Sequence, residues 1–89
     1  MFSLSNKHVL ITGATGYLGS QLALGLAEFG ATIHVNSRPS EACKRLVKEI
    51  ESSGFSAVLA SFDVTNEEEV NEYVKSISQL DVLVNNSYA

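Results

Sequence analysis

One cysteine, one proline and no tryptophan occur among the 89 residues of this chain. A lone thiol excludes an internal disulfide and a cysteine-built metal cluster. Cys43 falls three residues before Leu46 and seven before Ile50, the spacing of a helix face, so it reads as a buried structural thiol rather than a reactive one. Charge is sparse: charged residues make up 18% of the chain, the net charge is −4, and the six basic residues are scattered. That pattern offers no basic patch for nucleic acid or an anionic membrane surface. No apolar run approaches a membrane span, and residues 1–7 lack a basic segment followed by an apolar stretch fit for a signal peptide. A reducing, cytoplasmic setting is the expectation. His8 and His34 have no cysteine or carboxylate at ligand spacing and read as structural histidines, so no metal is expected.

Against these absences stands a strict alternation of patterns. Residues 7–12 form a branched, apolar first strand, and residues 17–29 a helix that is apolar on nearly every side, with Gly30 as its stop. Residues 32–36 form a second strand. Pro39 and Ser40 open a helix whose apolar face is Ala42, Leu46, Val47 and Ile50, and Gly54 ends it. Residues 56–62 make a third strand. Thr65 and Glu68 have the spacing of a capping box ahead of Val70, Tyr73, Val74 and Ile77, and Glu67 to Glu69 suit the first turn of that helix. Residues 80–84 make a fourth strand. Four strands joined by three helices predict an α/β fold, a three-layer Rossmann-type parallel sheet with right-handed crossovers and strand order 3-2-1-4. An 89-residue chain is one domain or part of one, with a marginal core. The fourth strand of that order would be an open apolar edge, so residues 1–89 are expected to be the truncated N-terminal part of a single domain.

The turn after the first strand is rich in glycine. From Thr12 to Gly19 the sequence reads T-G-A-T-G-Y-L-G, between an apolar strand and a helix. Gly13 permits the tight turn, Gly16 admits the close approach of a phosphate to backbone N–H groups, and Gly19 lets the helix lie near the strand. A dinucleotide pyrophosphate is the ligand such a loop fits.

Together with Asp63-Val64 and the run from Asp81 to Asn86, this loop resembles the short-chain dehydrogenase/reductase family along essentially the whole chain. The resemblance implies an NAD(P)-binding Rossmann domain, with the Asp63-Val64 pair along the adenine and Asn86 supporting the sheet and the adenosine ribose. It also implies that Gly13, Thr15, Gly16, Tyr17, Leu18 and Gly19 bind the nicotinamide dinucleotide. Asn85-Asn86 matches the classical members, whereas the spacing of Gly13, Gly16 and Gly19 follows the extended members, many of which act on nucleotide sugars. Ser87 and Tyr88 replace the usual Ala-Gly. The alternatives to a classical oxidoreductase are therefore an extended-type epimerase or dehydratase and a non-catalytic nucleotide-binding module.

Cofactor choice follows from charge. A free 2′-hydroxyl wants an acid at the end of the second strand, and a 2′-phosphate wants an arginine. Here Asn36-Ser37-Arg38 stands there, with no acid before Glu41, so Ser37 and Arg38 favour NADP over NAD. The family's chemistry is hydride transfer to a carbonyl or from an alcohol, carried by a Tyr-x-x-x-Lys pair and a serine. Tyr17 is followed at that spacing by Gln21, Tyr73 by Ile77, and Tyr88 by nothing. No catalytic residue is assigned, and the chain alone is expected to be inactive. The small-molecule carbonyl or alcohol substrate would meet a parent protein that the resemblance makes a homo-oligomer.

Overall fold

Val9, Ile11, Ile33 and Val35 alternate with Leu10 and His34, so two neighbouring strands send their branched residues to one face of a sheet and a mixed set to the other. The computed structural model describes residues 3–37, 40–77 and 79–86. In chain order the elements are β1 (His8–Thr12), α1 (Tyr17–Glu28), β2 (Thr32–Val35), α2 (Ser40–Ser52), β3 (Ser56–Leu59), α3 (Glu67–Ser76) and β4 (Val82–Asn85). The strands form one sheet ordered β3-β2-β1-β4, and every neighbouring pair is parallel. The α/β architecture and the strand order are those expected from the alternation.

The branched face is the core. Val9, Ile11, Ile33 and Val35 pack with Ala23 and Ala27 of α1 and with Cys43, Leu46 and Ile50 of α2. Helix α1 turns a stripe of small residues, Gly19, Ala23 and Ala27, to the sheet, and these are its buried positions. Its leucines do less than its apolar sequence suggests: Leu22, Leu24 and Leu26 only flank the core, and Leu18 stands in solvent. Close approach of the helix axis to the strands is the reason, because short side chains leave no room beneath it for long ones.

Helix α3 lies toward the opposite face without closing it, since the β3-to-β4 connection reverses direction across the sheet and a right-handed crossover then changes face; Val58 and Leu83 stay exposed. No residue of α3 is buried. Its attachment is polar: His8 Nδ1 and His34 Nε2 share a hydrogen bond of 2.9 Å, and His34 Nδ1 and the Tyr73 hydroxyl share one of 2.6 Å. The Tyr73 ring lies 5.1 Å from that of Phe62. His8 and His34 are thus bonded within the fold, and Tyr73 is a packing residue with a hydrogen-bonding role.

Besides one-residue differences at β1, α1 and β2, three features differ from the sequence expectation. Strand β3 stops at Leu59 rather than at 62, because past the bond from Ala60 N–H to the Val35 carbonyl the chain turns its Ala60 and Phe62 carbonyls to the Asn36 side-chain amide, both at 2.9 Å. Strand β4 runs from 82 to 85 rather than from 80 to 84. The Asp81 carboxylate is occupied by the His8 N–H at 2.7 Å and the Gln79 amide at 2.6 Å, and these bonds hold it below the usual carboxylate range. The cap of α3 is Asn66, whose side chain accepts the Glu69 N–H, and not Thr65 with Glu68. Thr65 cannot cap because its hydroxyl donates to Asp63 Oδ1 at 2.7 Å in a local turn. Glu67, Glu68 and Glu69 do occupy the first turn.

Gly25 of α1 has open space where a Cβ would stand. Gly25→Ala is therefore expected to raise unfolding stability by roughly 0.5–1 kcal/mol through a smaller backbone entropy in the unfolded chain. Chemical denaturation of the two proteins measures this, and a loss of stability would contradict the packing described for α1.

Candidate functional site

The carboxyl ends of β1, β2 and β4 converge on the glycine loop. Gly13 has φ of +64°, a left-handed conformation that glycine adopts without strain. The loop is tied on both sides: Ala14 N–H donates to the Asn36 carbonyl at 3.0 Å, and Asn86 Nδ2 donates to the Gly13 carbonyl at 3.2 Å. Thr12 joins the β1 and β4 ends, with its hydroxyl donating to Asn85 Oδ1 at 3.1 Å and accepting the Asn86 N–H at 3.2 Å.

The remaining glycines do different work. A Cβ on Gly19 would run into the Gly13 carbonyl and come within 2.9 Å of both Ala14 Cα and Asn86 Nδ2. Glycine at 19 is demanded by the fold. A Cβ on Gly16 would meet nothing closer than the Gly13 carbonyl at 3.7 Å, and the backbone there is extended. Nothing among the described residues collides with a side chain at 16.

Gly16 is also the N-cap of α1, where no side chain caps the helix and no acid lies in the first turn. Its opening N–H groups and the positive end of its dipole therefore face outward without a side-chain acceptor. Helix α3 is built the other way, with Asn66 and three glutamates at its start. Tyr17 and Leu18, the first residues of α1, are 85% and 58% exposed beside this anion-ready end.

Next to the loop, Ser37 bonds to Thr15 through their hydroxyls at 2.7 Å, so two of the expected cofactor residues meet across 22 positions of sequence. Ser37, Cys43, Ala60, Phe62, Asp63 and Glu69 line an open cleft of about 260 Å³ between the β2 and β3 ends. At its wall Asp63 Oδ1 accepts the Thr65 N–H at 2.9 Å, and Asp63 N–H donates to Glu69 Oε1 at 3.0 Å. Val64 is 37% exposed beside them. Arg38, Ser87 and Tyr88 lie outside the described residues.

One contributor escaped the sequence reading. Asn36, 3% exposed, holds β3 through its amide, donates its N–H to the Ile11 carbonyl and accepts Ala14. A polar residue closing an apolar strand was the available signal. Cys43 donates its thiol to the Ser37 carbonyl at 3.2 Å, and burial pushes the thiol pKa up. The buried structural thiol expected from helical spacing is what is found, with an added hold on the loop at the mouth of the cleft. Among the described residues no group of three or more His, Cys, Asp or Glu could hold a metal ion. No helix among them is long and apolar enough to cross a membrane.

This arrangement defines a nucleotide-type Rossmann site, and comparison with known proteins gives the family. The family model for short chain dehydrogenase matches residues 7–87, and the chain belongs to that family. The 5-keto-D-gluconate 5-reductase of Escherichia coli K12 is 40% identical over 91 residues, covering 98% of this chain and 36% of that protein. Among solved structures, a hydroxysteroid dehydrogenase from Escherichia coli has a TM-score of 0.88 at 29% identity, covering 99% of this chain and 39% of the other. Both cofactor types occur among similar structures. A 3-oxoacyl-[acyl-carrier protein] reductase from Brucella melitensis with bound NAD has a TM-score of 0.87 at 26% identity, covering 98% of this chain and 34% of that one. The RhlG/NADP complex of Pseudomonas aeruginosa has a TM-score of 0.81 at 30% identity, covering 99% and 37%. The chain thus spans little more than a third of the length of these proteins.

Gly19→Ala is expected to lower stability by about 1–3 kcal/mol, the usual range for overpacking, because the atoms it meets include backbone of the same tight loop. Thermal unfolding beside the Gly25→Ala protein measures it; an unchanged midpoint would refute the close approach of α1 to the Gly13 turn.

Proposed function

We propose that residues 1–89 are the N-terminal, cofactor-binding part of a single Rossmann domain in an NADP-dependent short-chain oxidoreductase. The observation that carries this reading is the α1 N-terminus, which opens on a glycine that the fold itself does not need and meets no side-chain cap or acid. Space and unshielded N–H groups at one point suit the pyrophosphate of a dinucleotide. Gly13, Gly16 and Gly19 would shape that contact, and Tyr17 and Leu18 would flank it. Asp63 and Val64 would bound the adenine, while Asn86, spent on the Gly13 carbonyl, would support the ribose side by holding the loop.

Preference for the phosphorylated cofactor rests on the end of β2. Thr15 and Ser37 offer hydroxyls there, and Arg38 follows at once. The first acid after β2, Glu41, is in the first turn of α2 with its carboxylate 3.6 Å from Lys44, so no carboxylate is committed to a free ribose hydroxyl. The cofactor, when bound, supplies the hydride for reducing a carbonyl or accepts one from an alcohol. This chain's residues bind and orient it. With no tyrosine and lysine at catalytic spacing, the proton-transfer residues are assigned to a part of the protein beyond this chain, as is the substrate pocket. A homo-oligomeric parent in the reducing cytoplasm fits the family and the single buried thiol. The extended-type and purely binding-module readings are not favoured, since the relatives of known activity include reductases of the kind proposed.

Dissociation constants for NADP and NAD test the reading. Arg38→Ala is expected to weaken NADP by roughly ten- to a hundredfold, the worth of a charge-assisted hydrogen bond of about 1.5–3 kcal/mol, and to leave NAD nearly unchanged. Arg38→Asp should weaken NADP further through repulsion. Equal losses for both cofactors would mean that Arg38 holds the loop instead of reading the phosphate. Gly16→Ala should keep its unfolding midpoint while losing affinity for both cofactors, because its new methyl meets the ligand and not the fold. In an absorbance assay with generic ketones and aldehydes, the 89-residue chain should stay at background. Turnover that vanished on mutating one of its own residues would overturn that expectation.

A further inference from the structure

The hydrogen-bonded chain His8–His34–Tyr73 lies on the α3 face of the sheet, apart from every residue assigned to the nucleotide. It is the polar hold on a helix that has no buried residue of its own. That same helix carries Glu69, whose carboxylate receives the Asp63 N–H and forms one wall of the cleft. We propose that His8, His34 and Tyr73 are positioning residues, a latch that keeps α3 and the Asp63–Glu69 wall in place and opens when the histidine pair takes a second proton. The consequence for ligand binding rests on the assignment of that cleft to the adenosine half of the cofactor.

The argument is one of hydrogen counting. Two gaps need one hydrogen each, between His8 Nδ1 and His34 Nε2 and between His34 Nδ1 and the Tyr73 oxygen. With both rings neutral, His34 donates one way and accepts the other, and both gaps are filled. One added proton is also accommodated, since either ring can carry it with every N–H still pointing at an acceptor. A second proton puts N–H against N–H across 2.9 Å and places two positive charges in contact. The pair must then separate, and His34 is the fixed point of the chain because it is 3% exposed.

Nearby carboxylates attract a charged pair, but among the described residues none bonds either imidazole ring. On the β1 side the Asp81 carboxylate accepts the His8 backbone N–H, with Lys7 close to it. On the α3 side Glu69 and Glu72 line the shallow groove beside Tyr73 and Phe62. The rest of β2 and β4 offers no charged side chain. Burial first, and then the charge of His8, hold His34 below the ordinary histidine range. A folded-state value below the unfolded one means that the unfolded chain binds more protons, so the stability from a neutral His34 is complete above about pH 6.5 and is lost as pH falls through the folded value.

Amide hydrogen exchange of Asp63 and residues 70–76, corrected for the intrinsic pH dependence of exchange, tests the latch at pH 7.5 and pH 5.0. In the parent protein the open population of α3 should rise about two- to tenfold at the lower pH, as expected for losing one buried hydrogen bond. Tyr73→Phe keeps the ring on Phe62 but removes the hydroxyl. Its opening should already be raised at pH 7.5 and show no further step. The Kd for NADP, taken as the ratio of Tyr73→Phe to parent so that titration of the 2′-phosphate cancels, should fall from about two- to tenfold at pH 7.5 toward one at pH 5.0. Exchange that is flat with pH in the parent, or an equal step in Tyr73→Phe, would overturn the latch. If the exchange step is present but NADP does not bind at either pH, the latch stands and the nucleotide reading of the cleft fails. Tight NADP binding with flat exchange has the reverse meaning.

Discussion

The side-chain amide of Asn36 holds together the region on which everything else at this end of the fold depends. A parallel sheet leaves its carbonyls unpaired where strands diverge, and at the end of β3 those of Ala60 and Phe62 would be orphaned beside the core. Asn36 takes both, while its own backbone bonds to Ile11 and Ala14. One buried residue thus links β1, the glycine loop and the two walls of the cleft. Its four bonds set the distance between the α1 N-terminus and the β3 end. The site is held by backbone groups clamped through one amide, with Thr12 and Asn86 performing the same task on the β4 side.

The two faces of the sheet are held by different forces. Against α1 and α2 the contact is apolar, with Val9, Ile11, Ile33 and Val35 removed from water and small residues bringing the helix close. Such packing is insensitive to pH and salt over the ordinary range. Against α3 the contact is directional, through two histidines and a phenol, and the outward face of β4 keeps Leu83 57% exposed. The glycine loop belongs to the apolar side. The Asp63–Glu69 wall of the cleft leans on the polar side. Local stability therefore differs across the candidate site.

How much of this was legible follows the same division. The strand order could be read because apolar period, glycine stops and crossover handedness act over short range and agree with one another. Gly19 was legible for the same reason: helix and strand must approach there, and only hydrogen fits. What escaped depended on partners distant in sequence. The cap of α3 moved by one residue because Thr65 is bonded to Asp63, a competition invisible in a four-residue pattern. β3 stopped early because Asn36, more than twenty positions away, takes its carbonyls. His8 and His34 looked unrelated at a separation of 26 residues, and only parallel pairing of β1 with β2 brings them together.

Gly16 separates what a fold requires from what a ligand requires. Glycines in a turn are usually explained by the turn, and Gly13 and Gly19 are: one has a left-handed backbone and the other would collide with the Gly13 carbonyl. Gly16 has an extended backbone and open space, so neither explanation applies. An alanine there would lower the conformational freedom of the unfolded chain, a gain that glycine's advantage over alanine at an N-cap offsets. Under the proposed function, glycine at this position makes room for a group that must come closer to the α1 N–H atoms than a methyl permits. Phosphate is such a group, and the helix end it would meet has no side-chain cap and no acid in its first turn.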